Sequence, residues 1–174
     1  MKRILALAVL ASTFLAATSC NAQDKSKRPS PPAKVSQKIA SGATISVDYS
    51  QPSLKGRTIG KDVEPMKGQA WRMGANEATV FETDKDVTIN GQALPAGKYS
   101  VFGIAGDTDF TVIFNKAWKV WGTEYEANKA QDVLKVAVKP TTASASQEKL
   151  TYTIDPSGKV SLLWGNQVIS FDVK

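Results

Sequence analysis

A chain of 174 residues suits one domain plus a leader, and 42% apolar with 22% charged residues excludes a largely disordered protein. Histidine is absent and Cys20 is the only cysteine, which excludes an intrachain disulfide and the Ser-His and Cys-His nucleophile pairs. The net charge of +6 owes much to Lys2, Arg3, Lys25, Lys27, Arg28 and Lys34; the remainder is close to balanced, with no basic run interleaved with aromatics, so no nucleic-acid partner is expected.

Residues 1–19 have the pattern of a secretory signal. Lys2 and Arg3 precede an apolar run, Ile4 to Ala17, and small residues lead to Cys20. The run is shorter than the roughly 20 residues that a membrane-spanning helix needs. Ala17-Thr18-Ser19-Cys20 resembles a lipobox, although Ala17 stands where leucine is commoner. On that reading Cys20 is acylated, becomes the mature N-terminus and holds the protein to a membrane. The alternative is an ordinary signal cleaved near Ala22. Residues 20–34 are rich in Pro, Ser and Lys and carry no hydrophobic period, which predicts a solvated tether.

From Val35 the chain changes to short alternating runs, so residues 35–174 are expected to form a single domain. Thr44–Tyr49 puts Ile45, Val47 and Tyr49 on one face. Ala78–Thr83 is a strand. Val87–Ile89 turns at Asn90-Gly91 into Gln92–Leu94, a strong hairpin signal. Lys98–Ile104 and Phe110–Phe114 are apolar on both faces, which predicts central strands. Glu124–Asp132 allows one short helix. Val133–Val138, Leu150–Ile154 and Val160–Trp164 alternate, and Gln167–Val173 closes the chain after an expected turn at Gly165-Asn166. Thr141–Ser146 is polar and of low complexity, and is expected as an exposed loop. About nine or ten strands with at most one short helix predict an all-β fold: an antiparallel, jelly-roll-like β-sandwich.

The stretch Trp71–Phe81, WRMGANEATVF, concentrates the polar chemistry. Arg72 suits a carboxylate or phosphate. Asn76 both donates and accepts, Glu77 is a partner or a base, and Gly74 is expected to supply a backbone conformation closed to other residues. Arg57 and Trp121 extend the candidate ligand-binding set to Arg57, Trp71, Arg72, Asn76, Glu77 and Trp121. A structural reading stands beside the functional one: an Arg72–Glu77 pair, with Asn76 bridging loop backbones, would latch the corner. A hydrolase would use Glu77 with Asp48 or Glu124, and Arg72 as anion stabiliser, but no catalytic motif is present. No metal site and no cofactor are expected.

The segments Gly42–Gly60, Trp71–Phe102, Phe110–Lys116, Trp121–Tyr125 and Leu162–Phe171 together resemble the bacterial family known as domain of unknown function 2911. The resemblance covers nearly the whole domain in order. It implies a β-sandwich-like domain and an exported protein or lipoprotein of a Gram-negative envelope, on the periplasmic side or the outer surface. It implies no established reaction. The expectation is therefore a lipid-anchored, non-catalytic module that binds a small polar ligand, a glycan or an envelope protein, with a glycan-directed hydrolase or a purely structural surface protein as alternatives.

Overall fold

The computed structural model describes residues 24–174. Cys20 and the leader lie outside the described residues. The chain is all-β and antiparallel, with strands β1 (Pro32–Lys38), β2 (Thr44–Ser50), β3 (Ala70–Trp71), β4 (Thr79–Thr83), β5 (Val87–Ile89), β6 (Gln92–Leu94) and β7 (Gly97–Ala105). There follow β8 (Phe110–Asn115), the one-turn helix α1 (Tyr125–Asn128), β9 (Asp132–Val138), β10 (Thr141–Ile154) and β11 (Lys159–Asp172).

The main sheet runs β1-β2-β4-β7-β8-β9, with β3 also paired to β7. The second layer is the long β10–β11 hairpin. Its far end is joined to the β5–β6 hairpin by a bridge between Ile89 and Val173. The core fills the space between the layers. Ile45 and Val47 come from β2, Phe81 from β4, Val112 and Phe114 from β8, and Leu162, Ile169 and Phe171 from β11. Phe114 meets Phe81 and Phe171 edge to face, at 5.4 and 5.6 Å between ring centroids. That geometry suits the opposed charges of ring face and ring edge.

Strand β7 is central, as its apolar residues on both faces predict. Tyr99 and Val101 enter the main core, whereas Phe102 joins Ala78, Ile113 and Tyr125 in a second cluster on the outer face. The segment between β8 and β9 covers that cluster. A buried knot holds it: Asp132 accepts from Tyr125 Oη at 2.9 Å and from Asn115 Nδ2 at 2.8 Å.

Three local expectations need correction. Gly165-Asn166 is not a turn, because β11 runs straight through it. Val160, Leu162 and Trp164 are inward before Gly165, and Ile169, Phe171 and Val173 are inward after it. Gly165 has φ +56° and the register with β10 shifts here, so the changed parity marks a bulge. Thr141–Ser146 is exposed but lies within β10, where Thr141 and Thr142 pair with Val168 and Gln167. The ladder pairs Thr141 and Thr142 and resumes at Gln147, so residues 143–146 form an irregularity within the strand. Strand β1 begins at Pro32, within the stretch read as a tether. It pairs with β2 along its whole length, and Lys34 and Lys38 mark it as a charged edge strand.

Candidate functional site

The polar corner is an excursion from a strand line. Trp71 pairs with Gly103 of β7 and Thr79 pairs with Val101, so Arg72–Ala78 is thrown out between β3 and β4. Met73 and Asn76 turn it with φ of +49° and +60°. Such a conformation is costly for a bulky residue like methionine. It is held from below, where the Met73 carbonyl accepts from Thr79 Oγ1 at 3.1 Å and from Tyr152 Oη at 3.0 Å. Gly74 is not left-handed. Its need is for space: a Cβ there would lie 2.7 Å from Thr79 Oγ1 and 3.3 Å from the Ser50 carbonyl. Trp71 Nε1 donates to the Gly74 carbonyl at 3.1 Å.

Arg72 and Glu77 do not pair. Arg72 is half-buried under Gly122, and its Nη1 donates to the Asn76 carbonyl at 2.9 Å. Desolvation lowers its pKa, and the charge of Glu64 acts in the opposite sense. Glu77 faces the other way. Its carboxylate accepts from Arg28 Nη1 at 2.9 and 3.0 Å and from Lys25 Nζ at 2.9 Å. Partial burial raises its pKa, but hydrogen bonds from Lys25, its own backbone and Arg28, with the Lys25 charge, outweigh this and bring it to about 2. Asn76 Nδ2 donates to the Ser30 carbonyl at 3.0 Å, and Gln51 N–H donates to the Pro31 carbonyl at 2.9 Å. The segment 24–31 is thus fastened across the corner like a strap.

The candidate residues therefore divide between two depressions. A cleft of about 290 Å³ is lined by Arg57, Glu64, Trp71, Arg72, Asn76 and Trp164, with the Ser30 end of the strap as one wall. A smaller depression of about 180 Å³ holds Lys25, Arg28, Asp48 and Glu77. Asp48 is paired there with Lys34 at 3.0 Å. Trp121 is 43% exposed and lines neither depression; its backbone is bridged to Glu77. The turn that carries it packs on the corner, where Gly122 N–H donates to the Asn76 carbonyl at 3.1 Å and Ala78 N–H to the Val120 carbonyl at 3.1 Å.

Arg57 is positioned by its own loop. Its Nε donates to the Leu54 carbonyl at 2.9 Å and its Nη2 to the Ser53 carbonyl at 2.7 Å. Trp71 and Trp164 stack at 6.0 Å with an interplanar angle of 17°. Glu64 and Trp164 were not among the expected site residues. Nothing local in the Glu64 segment marks it, whereas Trp164 stands just before the parity change at Gly165. Among the described residues no cluster of three or more carboxylate or thiol side chains is placed to hold a metal ion.

No curated protein and no solved structure matches the chain. The family model for a protein of unknown function, domain of unknown function 2911, matches residues 30–173, which takes in every strand and the lining of the larger cleft but not Lys25 and Arg28 of the smaller depression. The chain belongs to that family.

Proposed function

We propose that the protein is an exported lipoprotein, anchored through Cys20, whose β-sandwich is a non-catalytic binding module for a small polar ligand. The observation that carries the binding reading is the cleft of Arg57 and Arg72. A guanidinium has five N–H donors. Arg57 uses Nε and Nη2 on loop carbonyls and Arg72 uses Nη1 on Asn76, so each keeps donors for a ligand. The volume, about 290 Å³, lies just below the roughly 300–1,000 Å³ of ligand pockets and favours a small molecule or a single sugar unit over a protein segment.

Hydrolysis is less well supported. Glu77, with a pKa of about 2 and two cations on it, is ionised at neutral pH but is a weak base, and it has no proton to donate as an acid. Arg72, its intended helper, lines the other depression.

The anchor is supported by the apolar leader and the small residues before Cys20. Cys20→Ser is expected to move the protein from the membrane to the soluble fraction and to abolish acyl labelling. Unchanged membrane association would remove the anchor from the proposal. For the cleft, a melting screen against sugars and small anions tests binding. A ligand at about a hundred times its Kd adds about 2.7 kcal/mol and raises Tm measurably. A flat response across the screen would count against the binding module.

A further inference from the structure

Trp164 brings to the cleft a group that the corner loop does not. It stands in β11, in the opposite layer, next to the bulge at Gly165. The residue is only 3% exposed, yet it lines the cleft beside Arg57 and Arg72. Its indole N–H is buried and has no hydrogen-bond partner among the described residues, whereas the stacked Trp71 donates to Gly74. Buried polar groups are almost always satisfied, and an indole N–H can only donate. Any ligand group that reaches this N–H must be an acceptor.

The surrounding charges narrow that acceptor further. Two guanidiniums, Arg57 and Arg72, line the cleft against one carboxylate, Glu64. Glu64 already spends one oxygen on the Met66 N–H at 2.8 Å. Burial disfavours the charged form of Arg72, and an anion brought into the cleft would reverse that penalty. We infer that the cleft takes a small ligand through an anionic group, a carboxylate or a phosphate, with Arg57 and Arg72 as its charged donors and the Trp164 indole N–H as a third. This rests on the cleft being a binding site, as proposed above. Glu64 then faces the uncharged part of the ligand, where a hydroxyl or ammonium group suits it. A second negative charge at that end is disfavoured.

The indole resonance of Trp164 is the direct reporter. It is assigned in nitrogen-15 spectra of the mature chain by its loss in Trp164→Phe. The protein is titrated with sodium phosphate, with galacturonate and with galactose, at ionic strength held constant with sodium chloride. The expected result is a saturable shift of this resonance with phosphate or galacturonate, and none with galactose. Whichever of the two anions binds identifies the group as phosphate or carboxylate. Arg57→Gln, a change at an exposed side chain, is expected to weaken the response about tenfold or more. A shift with galactose equal to that with galacturonate would overturn the anion assignment and leave the binding cleft standing. No shift with any of the three would overturn both. A response undiminished in Arg57→Gln would overturn the role of the guanidinium pair.

Discussion

Glu77 takes both of its cations, Lys25 and Arg28, from the segment that precedes β1. Its pKa falls from 4.5 to about 2 in the folded chain, with Lys25 and Arg28 as the cations that hold it. A carboxyl with a depressed folded pKa stabilises fully above its unfolded value, and that contribution disappears as pH falls through the folded one. The wild type is therefore expected to melt above Glu77→Gln at pH 6, with the gap closing between pH 4.5 and about 2; parallel melting curves of the two proteins check this. A constant gap would mean that Glu77 acts through packing. Of the candidate residues, the sequence singled out Arg57, Trp71, Arg72 and Asn76 by their donors, and these four share one cleft. The direction of each side chain was not legible. Two left-handed residues, Met73 and Asn76, break any simple alternation along the loop, so Arg72 and Glu77 point to different depressions.

At the level of elements, period-2 alternation marks β2, β9 and parts of β10 and β11, because burial on one face writes itself into sequence, whereas β7 and β8 show as runs apolar on both faces. The Asn90-Gly91 hairpin is present as expected, with φ of +46° and +83° at its two turn residues. Alternation fails where neither face of a strand is buried, as at Thr141–Ser146. It also fails where an extra residue flips the phase, as at Gly165, since a bulge and a turn leave the same trace. The turn around Gly122 is an element whose packing can be tested. A Cβ at this position would lie 2.1 Å from Arg72 Cδ and 2.9 Å from Arg72 Cβ. Gly122→Ala is expected to cost about 1–3 kcal/mol by overpacking, measured by urea denaturation. Because Arg72 must move to make room, the same change should weaken binding in the cleft. Wild-type stability in this variant would show that the turn yields easily.

For the whole molecule, one aromatic contact reports on the joining of the two layers. Phe171 of β11 meets Phe81 of the facing sheet at 6.3 Å and Phe114 at 5.6 Å. Phe171→Ala is expected to cost about 3–5 kcal/mol, seen as a lower denaturation midpoint with an unchanged slope. A small loss would mean that the hairpin layer and the main sheet are joined chiefly elsewhere. The strap of residues 24–31 bears on a different property, the reach of the protein from its anchor. If Cys20 carries the lipid, only the link from Cys20 to Asp24 is left to span the gap between acyl chains and folded domain. At full extension that is about 14 Å. The domain would then ride close against the headgroups, with the Ser30 wall of the cleft near the bilayer. Releasing Lys25 and Arg28 from Glu77 would free the link as far as Ser30, still held by Asn76, and lengthen it to about 35 Å at full extension, so one carboxylate would set much of the stand-off height.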